Sequence, residues 1–224
     1  MSRDLPELAP LIDHALLDPH QGHEAIHRCC DEARHFGFAG VCVASRWVAT
    51  ARQRLPVTGS GRGASPRLVA VVGFPFGAVP AAVKRAEAEA AAAAGADELD
   101  VVPDFGALAD RDGQTVLDDL AGICELGLPV KVILEVARLE PEALELLVEI
   151  SIDAGARFLK TGSGFGPPVG VDQVGRVRDL ARGRAGVKAS GGITAVEQAF
   201  ALVEAGATRL GTSRGVSLMQ ALKD

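Results

Sequence analysis

Residues 130–160 read VKVILEVARLEPEALELLVEISIDAGARFLK. The stretch opens on a short aliphatic run, Val130–Val136, whose side chains would alternate between two faces of a β-strand. One face carries Val130, Val132, Leu134 and Val136; the other carries Lys131, Ile133 and Glu135. Pro141 stands at the start of a helical stretch, Glu142–Ala154, where its missing N–H costs nothing. Gly155 follows as a C-terminal cap, and a second strand, Phe158–Thr161, begins a few residues later. Strand, helix and strand in this order imply a parallel sheet with a right-handed crossover.

The same beat runs through the whole chain. Further strands are expected near Leu11–Leu17, Phe38–Ala44, Leu68–Phe74, Glu98–Pro103, Gly186–Ser190 and Arg209–Thr212. Helices are expected over Glu24–Phe36, Trp47–Leu55, Ala81–Ala94, Thr115–Leu126, Asp172–Ala181 and Ala195–Ala205, with a last one from Val216. Gly95 and Gly206 cap helices as Gly155 does, and Pro80 opens one. Eight strand–helix units in 224 residues fit a closed (β/α)8 barrel, a TIM barrel, spanning residues 1–224 as a single domain. An open doubly wound sheet is the alternative; it needs a glycine-rich phosphate turn after the first strand, and His14–Pro19 holds none. The one linker-like stretch, Thr58–Pro66, is a surface loop within a unit, because the beat resumes after it.

Composition narrows the function. Hydrophobic residues make up 48% and charged residues 23%, as in a globular domain. The net charge of −6 argues against nucleic acid or an anionic membrane as partner. The first 20 residues carry Asp4, Glu7 and Asp13 without an apolar core, so no secretory signal is expected. The longest small-apolar run, Ala88–Gly95, is too short to span a bilayer. Four cysteines without CxxC or metal-type spacing indicate reduced thiols in the cytoplasm and no metal site.

The lysines carry the chemistry. The chain has 18 arginines and only five lysines, and three of these, Lys131, Lys160 and Lys188, lie in expected strands. Lysine is depleted in strands and seldom buried unpaired. The apolar face of each strand must meet the helices, so Lys131, Glu135, Lys160 and Lys188 turn into the barrel, as do Glu98 and Asp100. A buried structural ion network is the bland alternative, yet such networks bring little net stability. Strands six and seven lie about 4.8 Å apart. Two ammonium groups that close disfavour double protonation, so one of the lysines is expected to titrate lower. A neutral amine in a barrel attacks carbonyls and forms a Schiff base, and an inward carboxylate such as Asp100 can shuttle protons. This reasoning leaves open which lysine is covalent.

From Leu11 to Gly215 the chain resembles the deoxyribose-phosphate aldolase family. The matching segments are IDH and LL in Ile12–Leu17, VCV at Val41–Val43, GFPFG at Gly73–Gly77 and GADELDVV at Gly95–Val102. They continue with KVILE at Lys131–Glu135, FLKT at Phe158–Thr161, GVKASGG at Gly186–Gly192 and GATRLGTS at Gly206–Ser213. The resemblance implies a class I aldolase in which Lys160 forms the Schiff base, Lys188 depresses its pKa and Asp100 relays protons. It implies reversible cleavage of 2-deoxyribose 5-phosphate to glyceraldehyde 3-phosphate and acetaldehyde, with no metal or organic cofactor. Its partners are then a sugar phosphate and an aldehyde, with a homodimer through outer helices as the expected assembly.

Phosphate is expected at the loops after strands seven and eight, on Gly191, Gly192, Gly211, Thr212 and Ser213, with Gly162, Ser163 and Gly164 adding donors. Asp13 is a candidate for a substrate hydroxyl or for a structural partner, His14 reads as structural, and Trp47 and the phenylalanines read as core. Several family positions differ. Ala15 stands for the usual Thr, Ala44-Ser45 for Asn-Pro, Gly162 for Ser, and Thr194 for an arginine near the phosphate. Pro103-Asp104-Phe105-Gly106 departs at the end of strand four, and the chain has no Tyr. Arg214 is a candidate to replace the lost cation. A related lysine aldolase with a different, non-phosphorylated aldehyde substrate, or an inactive sugar-phosphate-binding barrel, are the competing readings.

Overall fold

In a computed structural model, which describes residues 7–55 and 65–223, eight parallel strands close into a barrel in sequence order. They are β1 (Ile12–Leu16), β2 (Gly40–Ala44), β3 (Arg67–Val72), β4 (Glu98–Val101), β5 (Val130–Ile133), β6 (Phe158–Lys160), β7 (Gly186–Ser190) and β8 (Arg209–Thr212). The connecting helices are α1 (His23–Phe36), α2 (Val48–Arg52), α3 (Ala81–Ala93), α4 (Phe105–Ala109), α5 (Gly113–Cys124), α6 (Pro141–Asp153), α7 (Val171–Ala181), α8 (Val196–Glu204) and α9 (Gly215–Ala221). The (β/α)8 barrel is therefore observed and the open sheet is excluded. Most of the expected loop Thr58–Pro66 lies outside the described residues.

Burial follows the strand alternation. Leu99, Val101, Val130, Val132, Leu159, Val187 and Ala189 join one continuous apolar layer with helix residues such as Leu144, Leu147 and Val148. Full burial of each such aliphatic side chain stabilises by about 1.5–3 kcal/mol. Inside the barrel, Cys42, Val69 and Val71 form a separate small cluster beneath Ala15, Leu17 and Phe74. Two phenylalanines depart from the expected core role: Phe76 is 65% exposed and Phe165 is 54% exposed.

Boundaries differ where the backbone changes character. β5 stops at Ile133, because Glu135 takes a left-handed conformation (φ +49°) and starts a 3-10 turn, Val136–Arg138. Glu135 is thus buried beyond the strand rather than along its inward face, and it accepts the Ser163 N–H of the loop after β6. Helix α4 was not expected from the sequence. Its signal is Asp104, whose Oδ1 accepts the Ala107 N–H at 3.0 Å as an N-cap. In the same way Asp112 accepts from Thr115 N at 3.0 Å and starts α5 two residues before the expected Thr115.

Lys84 lies on α3 and is fully buried. Its ammonium pairs with Asp119 of α5 and donates to the Val102 carbonyl at 3.2 Å, tying two helices to the end of β4. A Lys84→Met change leaves a buried carboxylate without its counter-ion and is expected to destabilise by about 3–5 kcal/mol. Urea unfolding would measure this, and Lys84→Met with Asp119→Leu should recover most of the loss. No recovery in the double variant would contradict the pairing account.

Candidate active site

Strand register assembles the site. Lys160 pairs with Lys188 across β6 and β7, Asp100 with Lys131 across β4 and β5, and Lys188 with Arg209 across β7 and β8. All of these side chains turn inward. Asp100, fully buried, is the hub: Oδ1 accepts from Lys131 Nζ at 2.8 Å, and Oδ2 accepts from Lys160 Nζ at 2.9 Å and Lys188 Nζ at 2.8 Å. Lys188 also donates to Asp13 Oδ2 at 2.6 Å, and Asp13 Oδ1 accepts from Arg209 Nη1 at 2.8 Å. Lys131 lies 2.7 Å from Glu98 Oε2.

Glycines make the room for this packing. A Cβ on Gly40 would lie 2.8 Å from Asp13 Oδ1, and one on Gly211 would lie 3.0 Å from Lys188 Cε. Both glycines are the Cα partners of Asp13 on the neighbouring strands. The bare backbone on either side lets the carboxylate and the lysine stem cross the interior.

Burial sets the electrostatics. Burial alone would raise the Asp100 pKa, but Lys131, Lys160 and Lys188 together hold its carboxyl well below the usual range. Asp13 is likewise opposed by burial, and Lys188, Lys131 and Arg209 bring it to about 2. Burial would lower Lys188, yet Asp100 and Asp13 raise it above the ordinary lysine value; Lys131 also rises, despite burial, chiefly through Asp100. Repulsion between ammonium groups was expected to lower one lysine. At Lys188 and Lys131 the carboxylates outweigh it. Burial and the Asp100 charge push the Cys42 thiol up to about 11, so it stays neutral. Lys160 has the sparsest ionic company of the three lysines. Among the described residues its one ion pair is with Asp100, which it shares with the other two.

Above the cluster opens a cavity of about 340 Å³ at the C-terminal end of the barrel. Lys160, Lys188, Ser163, Gly191, Gly192, Gly211, Thr212 and Ser213 line it, as do Thr194 and Arg214. The loops after β6, β7 and β8 therefore converge on the two lysines. Thr212 has a prior engagement: its hydroxyl donates to Ile193 O at 2.8 Å and accepts from Arg214 N at 2.9 Å, which ties the last two loops together.

Other candidates sit elsewhere. Asp13 is beneath the cavity and does not line it; one of its oxygens accepts from Lys188 and the other from Arg209. Asp100 is also below the cavity walls. Gly162 stays outside the lining, where its carbonyl accepts the Ser190 hydroxyl. His14 bonds Glu32 Oε2 through Nε2 at 3.0 Å, away from the lysines. Sequence reasoning missed Arg209 as a member of the cluster. The same alternation that buries Leu210 outward turns Arg209 inward, so the signal was present. Among the described residues no group of three or more His, Cys, Asp or Glu is placed to hold a metal ion, and no helix is long and apolar enough to cross a membrane.

No protein-family model matches the chain. Individual proteins do. A deoxyribose-phosphate aldolase of Thermosynechococcus vestitus is 47% identical over 218 residues, covering 97% of this chain and 98% of that protein. The solved aldolase QR15 superposes with a TM-score of 0.89 at 35% identity, over 97% of this chain and 96% of its own. A deoxyribose phosphate aldolase from Aeropyrum pernix, described as a unique tetrameric structure, gives 0.85 at 34% identity, covering 97% of this chain and 91% of its own. With near-complete coverage of these relatives on top of a lysine-lined barrel mouth, the chain belongs to the deoxyribose-phosphate aldolase family and is a lyase.

Proposed function

We propose that the protein, a single (β/α)8 domain over residues 1–224, reversibly cleaves 2-deoxy-D-ribose 5-phosphate to D-glyceraldehyde 3-phosphate and acetaldehyde through a Schiff base on Lys160. The observation that carries this reading is the position of Lys160. It lines the cavity, while its one counter-ion among the described residues, Asp100, is shared with Lys131 and Lys188. Lys188 also lines the cavity but is clamped between Asp100 and Asp13, which suits a fixed cation rather than a nucleophile. Apart from Lys160, the cations Lys131, Lys188 and Arg209 equal the carboxylates Asp13, Glu98 and Asp100 in number.

The neutral amine attacks the substrate aldehyde carbon, C1, expels water and, with one proton taken up on nitrogen, forms the iminium. The relay of Lys188 and Asp100 takes up the C3 hydroxyl proton as the C2–C3 bond breaks. Its electron pair moves into the iminium, which becomes an enamine, and glyceraldehyde 3-phosphate departs. C2 takes a proton, and water releases acetaldehyde and free Lys160. The lysine imine is the electron sink, so no cofactor is required. Asp100 lies under the cavity, so protons it relays reach substrate through Lys188, which faces both. The phosphate docks on the backbone of Gly191, Gly192 and Ser213, in the barrel's usual phosphate loops. Arg214 lines the cavity as the cation available there, because Thr194 carries none.

All four cysteines are free, which supports residence in the reducing cytoplasm. Pairing of two copies through outer helices belongs to the same reading. The test is to incubate the protein with deoxyribose 5-phosphate, add borohydride, map the modified lysine by mass spectrometry and follow acetaldehyde. An adduct on Lys160 with turnover is expected. An adduct without turnover would assign the lysine chemistry to another aldehyde, equal rates with free deoxyribose would remove the phosphate specificity, and no adduct with this sugar or acetaldehyde would end the Schiff-base reading.

A further inference from the structure

We propose that Arg209 is a positioning residue for catalysis: it fills Asp13 from the far end of the barrel, leaving the lysine cluster with one cation more than its carboxylates, and so drives Lys160 toward its neutral amine. The inference rests on Lys160 being the nucleophile.

The charges facing the cluster come from all sides of the barrel. β1 supplies Asp13, β4 Glu98 and Asp100, β5 Lys131, β6 Lys160, β7 Lys188 and β8 Arg209. β2 supplies the neutral thiol of Cys42, and β3 supplies Val69 and Val71. Glu135, beyond β5, is spent on the Ser163 N–H. Four cations thus face three carboxylates inside the barrel, and the cavity above adds one charge of each sign, Asp18 and Arg214. A guanidinium does not release its proton, and Lys131 and Lys188 each hold two close carboxylate contacts, within 2.8 Å. The surplus proton therefore belongs to Lys160, the cation at the cavity with the least compensation.

Arg209 is built to stay charged and in place. Its side chain is 16% exposed, its Nη1 lies 2.8 Å from Asp13 Oδ1 and 3.9 Å from Glu98 Oε2, and its guanidinium lies over the Phe158 ring at 5.5 Å. Without it, both Asp13 oxygens would turn their charge on Lys188 and the lysines around it. The cluster would then be balanced with Lys160 protonated, and the amine would appear only at higher pH.

The test is kcat/KM against pH for cleavage of deoxyribose 5-phosphate by four proteins: wild type, Arg209→Met, Arg209→Lys and Glu98→Gln. For Arg209→Met the ascending limb should move up by about one pH unit, roughly a tenfold loss at pH 7 that is largely recovered at alkaline pH. KM should stay close to that of the wild type. Arg209→Lys should keep the wild-type profile, because the charge is retained. Glu98→Gln removes a negative charge and should move the limb the opposite way. It decides the question even where Arg209→Met fails to fold. A loss in Arg209→Met that is the same at every pH, or a Glu98→Gln limb that does not fall, would overturn the inference. Borohydride trapping of the wild type keeps the two readings apart. An adduct on Lys160 with unmoved pH limbs defeats the role of Arg209 alone, whereas absence of the adduct defeats the nucleophile and this inference with it.

Discussion

Lys160→Ala is expected to abolish the borohydride-trapped adduct and to lower turnover by roughly 10⁴-fold or more, as removal of a covalent nucleophile does elsewhere. The fold should not suffer. Lys160 is 3% exposed and its ammonium is one of three that share Asp100. When it is removed, Asp100 keeps Lys131 and Lys188 at 2.8 Å each. The cluster also loses its surplus positive charge. Urea unfolding should show unchanged or raised stability. Loss of activity together with a large drop in stability would make Lys160 a structural cation instead.

Asp100→Asn is expected to fail in the opposite way, in fold and function together. The carboxylate is the shared counter-ion of three buried ammonium groups, and an amide cannot replace its charge. Leaving buried charges uncompensated costs about 3–5 kcal/mol. The proposed relay role adds an expected loss of roughly 10²–10⁴ in kcat. The sign of the pH effect follows from the direction of its pKa. Asp100 is held below the ordinary carboxylate value, so its ionic contribution is complete above that value and disappears as pH falls through the lowered one. Wild type should therefore lose stability in acid more steeply than Asp100→Asn, and their urea midpoints should converge as pH drops below about 4. Parallel midpoints down to low pH would contradict an ionised Asp100 in the folded protein.

Much of this was legible from local pattern. The alternation in Val130–Val136 separates apolar residues that must meet helices from polar ones that must not, and the same rule oriented Asp100, Lys160 and Lys188. Helix ends announced themselves through Gly95, Gly155 and Gly206, all at positive φ. What escaped was set by contacts distant in the chain. The burial of Lys84 was not legible, because its partner, Asp119, is 35 residues away on another helix. Asp13 and Lys188 are 175 residues apart and meet only because β1 closes against β8. The turn at Glu135 depends on the Ser163 N–H, which belongs to the next unit of the barrel.

By itself, then, the sequence determined the strand–helix order, the inward face of each strand and the identity of the lysines and carboxylate on it, because these depend on side-chain alternation and local caps. Which lysine stands at the cavity with the least compensation was decided only by tertiary structure. Charge balance is a property of the closed barrel. Arg209, Asp13 and Glu98 reach the lysine cluster only once β8 has closed against β1.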